Sequence, residues 1–346
     1  MDGFLSTKLR FFSFWLMVGV VLLHSKNIFL GKSIPSFIES LFSENLTQIC
    51  VPLFFMISGF LFFRNENSSI QYLEKIKKRI KSLLIPYILW CLGIFLLIFV
   101  LQQLPGIGNF FPQKFMDMSL KDNFLNAIIY PYNYPFWFIR ELLLYVCLTP
   151  VIKFLIDKNG LVLPIFLFLL GIITDSFLQL AVKVIQVYPF FYYVLGCYLG
   201  IKKLDIKINK NLTLILGIFY LFINILFANS SFDMWLSPES MALIFLNNFK
   251  NLAGCIFVWG FYDCMMGLSM PKIPTYYKYS FFIFALHGIP ATMISKITQV
   301  IVRDEFLKLI LYFASWIALT IISMLIGKFI DKKFPKLYNI LVGNRQ

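Results

Sequence analysis

The chain is built from apolar runs, each long enough to cross a lipid bilayer, separated by short charged or proline-containing breaks. A hydrocarbon core about 30 Å thick is crossed by some 20 predominantly apolar residues in helical form. Ten such runs are read, at about 11–29, 46–63, 83–101, 136–156, 161–177, 184–201, 212–228, 252–270, 279–302 and 306–330. The fold class expected is therefore all-α: a polytopic membrane protein with about ten transmembrane helices. With 59% hydrophobic residues, 41 Phe and 14% charged residues, the composition is far from that of a soluble domain. The first run has no small-residue cleavage signature and continues past signal-peptide length, so it reads as a retained helix. The whole of 1–346 is expected to form one domain, with a C-terminal tail from about 332 to 346.

A net charge of +14 would suggest nucleic acid in a soluble protein, but here its distribution decides otherwise. Arg64, Lys75, Lys77, Lys78, Arg79 and Lys81 share one connection, Lys202, Lys203, Lys207 and Lys210 another, and Lys328, Lys332, Lys333, Lys336 and Arg345 the C-terminus. The connections between carry one or two each: Lys26 and Lys32, Lys114 and Lys121, Lys183, Lys250, Arg303 and Lys308. This alternation is the positive-inside pattern, with both termini cytoplasmic and an even number of spans. Topology and attraction to anionic membrane lipids account for the basic excess, and no nucleic-acid partner is expected.

The six cysteines border or lie within apolar runs and form no C-x-x-C pair, so they read as small core residues and not as a disulfide framework or zinc site. Between about 70 and 84, Ile70, Leu73, Ile76, Ile80, Leu83 and Leu84 recur at helical spacing among the lysines, which predicts a basic amphipathic helix on the cytoplasmic face. Pro86 then stands near the start of the third run, where a missing backbone donor is tolerated. The longest external connection, Leu104 to Pro135, holds Phe110, Phe111, Phe115, Tyr130, Tyr132 and Tyr134. Such rings serve as interfacial anchors or as stacking surfaces for sugars, the anchor being the commoner use.

The chemistry is expected where ionisable residues fall inside apolar runs, because such a residue costs several kcal/mol unless it faces protein, water or a partner. The chain has only two histidines, His24 at the far end of the first run and His287 within YSFFIFALHGI. At 1.5 Å per residue they lie about 18 Å and about 12 Å from the cytoplasmic starts of their runs, a difference in depth of about 6 Å. Arg10 shares a helical face with His24, about 21 Å below it, and marks the cytoplasmic mouth. The fourth run opens YNYPFWFIRELLLY, setting Trp137, Arg140 and Glu141 near the external boundary. A guanidinium there can hold a carboxylate or steady an oxyanion, and a carboxylate can accept hydroxyl hydrogens. Adjacent Arg140 and Glu141 point about 100° apart on a helix and need not pair. Ser58 and Gly59 place a small polar surface in the second run, Gly59 for close helix packing. The chain has no G-x-x-x-x-G-K-[ST], G-x-G-x-x-G or G-x-S-x-G, so nucleotide-motif and serine-elbow chemistry are without support.

Taken together these segments resemble the integral-membrane acyltransferase family three. The marks are VVLLHS with His24, VPLFFMISGFLFFR with Ser58, Gly59 and Phe60, KIKKRIKSLLIPY with Arg79 and Pro86, FWFIREL from Trp137 to Leu142, FYYVLGCYLG with Gly196, and YSFFIFALHG with Ser280 and His287. They fall in the family's order across nearly the whole chain. Two departures are visible. Ser13 stands where the family carries a basic residue before the first-run histidine, with Arg10 one turn earlier. The family's Arg-x-x-Arg is met by Lys78 and Lys81, with Arg79 paired to Ser82.

The resemblance implies an enzyme that O-acylates extracytoplasmic glycans from cytoplasmic acyl-CoA. On that reading acetyl-CoA, or another acyl-CoA, is the co-substrate, its phosphates held by Lys78, Arg79, Lys81 and Arg10. The acceptor, a glycan or lipid-linked sugar, enters from outside near Trp137, Arg140, Glu141 and Ser58. His24 is the base or the acyl carrier, and His287 or Arg140 steadies the oxyanion. No metal is expected, and the location is a bacterial cytoplasmic membrane. Two other classes fit an apolar chain of this kind. A transporter or flippase would use the same polar cavity, but the chain has no internal repeat and places Glu141, Asp175 and Asp263 only near run ends. A non-catalytic assembly protein would treat both histidines as structural.

Overall fold

In lipid, backbone N–H and C=O groups find no water, so apolar runs close their hydrogen bonds within the segment. A computed structural model describes residues 3–27, 33–64, 69–105, 115–177, 186–204, 207–229, 240–267 and 272–344. Lys32, Phe110, Phe111, Lys114, Lys183 and Arg345, and the side chain of Asp175, lie outside what is described. The described chain is helical and contains no strand. The helices are α1 (Gly3–His24), α2 (Ile34–Glu39), α3 (Cys50–Phe63), α4 (Ser69–Gln103), α5 (Leu120–Ile128), α6 (Trp137–Asn159), α7 (Val162–Phe177), α8 (Val187–Ile201), α9 (Lys210–Ala228), α10 (Met241–Met266), α11 (Ser280–Ile301), α12 (Glu305–Lys333) and α13 (Pro335–Leu341). Several begin on a polar residue whose side chain accepts an otherwise unpaired N–H of the first turn: Asn209 from Leu212, Asp304 from Leu307 and Ser119 from Asp122.

Among the described residues seven elements are long and apolar enough to cross a membrane: Gly3–His24, Ile34–Phe63, Tyr72–Gln103, Lys210–Ala228, Met241–Met266, Thr275–Ile301 and Glu305–Lys333. The chain is an all-α polytopic membrane protein. The spacing of runs predicts about ten spans, and the difference lies in the middle of the chain. Thr149–Asn159 of α6 and Val162–Ile173 of α7 meet at 113° across Gly160, which supplies a φ of 57°. The 15 residues of α8 reach only about 22 Å.

Three boundaries move for physical reasons. The second span starts at Ile34 rather than 46, because the polar stretch before it is helical too, passing through a π turn (Ser40–Asn45) and a 3-10 turn (Leu46–Ile49) before α3. Its buried polar groups are satisfied locally: Ser43 Oγ donates to Leu22 O at 3.1 Å, and Thr47 Oγ1 to Phe42 O at 2.8 Å. The amphipathic segment and the third run are one helix, α4, which carries Pro86 in its interior and not at a start. The eighth span begins at Met241, so Lys250, counted above as a loop charge, lies inside α10 and is fully buried.

Two crossings position the site. Phe14 stacks at 4.3 Å on Tyr277 of the 3-10 turn (Thr275–Tyr279) that leads into α11, and ten residues further along the chain from each ring His24 meets His287, so α1 and α11 run parallel and in register. The second crossing is that of α3 with α8. A Cβ on Gly196 would stand 2.0 Å from Met56 O, and one on Gly59 2.2 Å from Tyr193 O. The backbones touch there, so Gly59 packs as its sequence context predicts. The basic clusters gather at one end of the bundle: Gly200 abuts Arg64, Lys75 donates to Phe62 O, and Gly343 of the C-terminal turn lies on Ser82 O.

Candidate active site

His24 closes α1, and the chain beyond it is strapped down. Ser25 Oγ donates to Val21 O at 2.8 Å, Asn27 N to Glu39 Oε2 at 3.0 Å and Asn27 Nδ2 to Lys308 O at 3.2 Å, while Lys26 O accepts from Ser295 Oγ at 2.7 Å. These bonds tie the end of α1 to α2, α11 and α12. The His24 imidazole is half-buried, 5.3 Å from the His287 ring centre to centre, and edge-on to Tyr134 at 4.9 Å.

His287 is fully buried. Its Nδ1 lies 2.9 Å from Ile283 O, and since a carbonyl only accepts, the proton is assigned to Nδ1. That leaves the Nε2 lone pair free, and Nε2 is buried with no hydrogen-bond partner among the described residues. A buried imidazole acceptor without a donor is uncommon in a merely structural histidine.

The third wall comes from the Pro131–Pro135 turn before α6. Asn133, 1% exposed, donates from Nδ2 to Ala285 O at 2.8 Å, two residues before His287, and its Oδ1 has no partner among the described residues. Gly288 makes this approach possible, because a Cβ there would lie 2.6 Å from Pro135 Cγ and 3.2 Å from Asn133 Oδ1. Burial pushes the Tyr134 phenol above its usual range, partly offset by a hydrogen bond with Thr292, so it is a neutral ring beside His24.

The other residues singled out from the sequence are distributed as follows. Trp137 begins α6, half-buried, with its ring 6.2 Å from Phe55. Arg140 and Glu141 do pair, Nη2 to Oε1 at 3.0 Å, because the long arginine stem covers the angle between adjacent positions. Arg140 Nη1 also donates to Ile129 O at 2.5 Å, and fully buried Glu141 accepts from Gln186 N at 3.3 Å through its other oxygen. The pair thus clamps the turn before α6 to the start of α8. Ser58 is half-buried on α3. Lys78 and Lys81 are exposed at the basic end of α4, Arg79 is half-buried there, and Arg10 is exposed on α1. The inward-facing cation of α1 is Lys8, 2% exposed, 2.7 Å from Asp263 and 3.8 Å above the Trp259 ring.

Asn133, Tyr134, Lys8 and Lys250 carry polar chemistry into the bundle without having been singled out for it. For Asn133 and Tyr134 the signal was a polar pair held between two prolines. For Lys250 it was a lysine followed at once by an apolar helical run. The six cysteines are free thiols, Cys50, Cys91, Cys197 and Cys255 buried. Among the described residues no three His, Cys, Asp or Glu side chains come together to hold a metal. In the external connection, Phe115 stacks on Phe95 of α4 at 4.6 Å and touches Tyr132 at 4.8 Å, so these rings pack on the bundle.

The architecture is that of a multi-pass membrane protein whose two histidines meet in a buried polar site. Residues 11–328 match the family model described as an acyltransferase domain, and the chain belongs to that acyltransferase family. It is 26% identical over 171 residues to the succinoglycan biosynthesis protein ExoH of Rhizobium meliloti (strain 1021). That match takes in 46% of this chain and 45% of the length of ExoH. No solved structure matches the chain.

Proposed function

We propose that the protein is a membrane O-acyltransferase that moves an acyl group, acetyl by expectation, from cytoplasmic acyl-CoA to a hydroxyl of an extracytoplasmic or lipid-linked glycan. Family membership supports acyl transfer, and the succinoglycan relative supports a glycan acceptor. The observation that carries the catalytic reading is the pairing of His24 with His287, whose Nε2 is a buried, unpartnered acceptor.

His24 acts on the acceptor hydroxyl as general base, or takes the acyl group itself before handing it on. As base it gains a proton while the hydroxyl oxygen attacks the thioester carbonyl. The bond to sulfur then breaks, and CoA leaves as the thiol after receiving that proton. His287, its Nδ1–H committed to Ile283 O, offers Nε2 to the His24 imidazolium and stabilises it, as an orienting carboxylate does in a hydrolase triad. In this arrangement neutral His287 is an acceptor and not the oxyanion donor; Arg140 is the remaining candidate for that role. Acyl-CoA phosphates lie on the basic end with Lys78, Arg79, Lys81 and Arg10, which faces the cytoplasm, and the acceptor reaches the opposite mouth beside Trp137, Glu141 and Ser58. The host membrane is a bacterial cytoplasmic membrane.

The test is transfer of labelled acetyl from acetyl-CoA by purified protein in lipid nanodiscs. His24→Ala is expected to lower the rate by about 10³-fold or more while leaving the protein folded. Full activity in that variant removes His24 from the mechanism.

A further inference from the structure

A second buried polar group lies among α8, α9, α10 and the π turn, away from the histidines. Lys250 is 0% exposed and sits nine residues inside α10, about 13 Å from its first residue. Its Nζ has one long hydrogen bond, 3.4 Å to Asn45 Oδ1, and stands 4.9 Å from the Phe227 ring. No carboxylate pairs with it among the described residues. Lys8, the other lysine buried in the bundle, has Asp263 at 2.7 Å.

The neighbours of Lys250 are also unsatisfied. Gly217 abuts Phe257 and Gly254 abuts Tyr220, so α9 and α10 run antiparallel with paired residue numbers summing to 474, which sets Asn224 opposite Lys250. Asn224 is 0% exposed, donates to Tyr220 O at 2.6 Å and has no partner for Oδ1 among the described residues. Asn251, 3% exposed, donates to Tyr188 Oη at 2.9 Å, and its Oδ1 likewise finds no donor among the described residues. Among the described residues this is a buried ammonium lacking an anion, with buried carbonyl oxygens lacking donors at the facing position of α9 and the next position of α10, an arrangement complementary to a ligand that carries both an anionic group and hydroxyls.

Hydrogen bonds link this group to the catalytic region on both sides. Tyr145 donates to Gln186 O and Glu141 accepts from Gln186 N, two residues before Tyr188. On the other side the π turn that supplies Asn45 also supplies Ser43, which donates to Leu22 O two residues before His24.

We propose that Lys250, with Asn45, Asn224 and Asn251, forms a subsite for the anionic group of an acidic saccharide, its carboxylate or phosphate facing Lys250 and adjacent hydroxyls donating to the Asn oxygens. The inference rests on the glycan-acceptor reading for its place in turnover, but the anion site is testable by itself. Binding of a glucuronate-containing oligosaccharide to the nanodisc-held protein is measured against the same oligosaccharide with its carboxyl reduced to the neutral alcohol. A polyprenyl-phosphate-linked neutral sugar forms a third arm. Wild type is expected to bind one of the anionic probes at least about tenfold tighter than the neutral one. Preference for the first assigns the site to a sugar carboxylate, and preference for the second to a carrier phosphate. Lys250→Met is expected to abolish the preference, and Asn224→Asp, which supplies an internal anion for Lys250, to abolish it in a chain that keeps the lysine. Equal binding of all three probes by wild type, or a preference that survives both substitutions, overturns the proposal. Absence of acyl transfer with the anion preference intact would instead overturn the enzymatic reading and leave this site standing.

Discussion

The two ends of α1 each bring an ionisable side chain into the bundle, Lys8 buried and His24 half-buried, and the two are satisfied in opposite ways. Lys8 has a carboxylate at 2.7 Å and an indole face at 3.8 Å, so its charge is neutralised and its surroundings are complete. His24 meets a second imidazole and a phenol ring, and the free Nε2 of His287 remains without a donor among the described residues. A saturated buried charge holds helices together, whereas an unsaturated buried acceptor is held ready for a proton that arrives from elsewhere. The contrast separates structure from chemistry along a single helix, where composition treats the two residues alike.

Loss of His24, the test given above, is the largest effect this contrast predicts. Next comes His287→Phe, which keeps a ring of similar volume against His24 and removes Nε2. Its acyl-transfer rate should fall about 10²-fold with thermal stability little changed. A rate within twofold of wild type would make His287 a packing residue. A smaller loss, about tenfold, is expected for Gly288→Ala, whose methyl pushes Pro135 and Asn133 off α11 and disturbs the third wall of the site. Unchanged kinetics there would show that the turn does not set the histidine geometry. Smallest in its effect on catalysis is Lys8→Met. It strands Asp263, itself about a quarter exposed, and should cost about 1–3 kcal/mol in thermal unfolding. The folded fraction should retain its rate, and a rate loss as large as that of His287→Phe would erase the distinction between the two ends.

Much of this was legible in residue order. Runs of lipid-compatible length dictate spanning helices whatever their neighbours, so the class of fold and most span positions were readable. The errors cluster where polar residues lie inside helices. The stretch from Ile34 to Asn45 reads as loop because it carries Glu39, Ser43 and Asn45, yet each is buried against a partner, Asn27 N for Glu39, Leu22 O for Ser43 and Lys250 for Asn45. Lys250 reads as a loop charge for the same reason. In both cases the helix boundary depends on who satisfies the polar group, which is a property of packing.

The sequence by itself determined that this is a multi-pass helical membrane protein, that the two histidines lie at similar depth, and that the basic charge alternates between connections. Those follow from run length and rise per residue, which are local. Tertiary structure alone decided that α1 and α11 are neighbours in parallel register, that Asn133 and Tyr134 complete the histidine site, and that Arg140 and Glu141 clamp one another across three segments. It also left Lys8 partnered and, among the described residues, Lys250 without a carboxylate. Which buried group finds its complement depends on helices distant in the chain, and no local pattern encodes that choice.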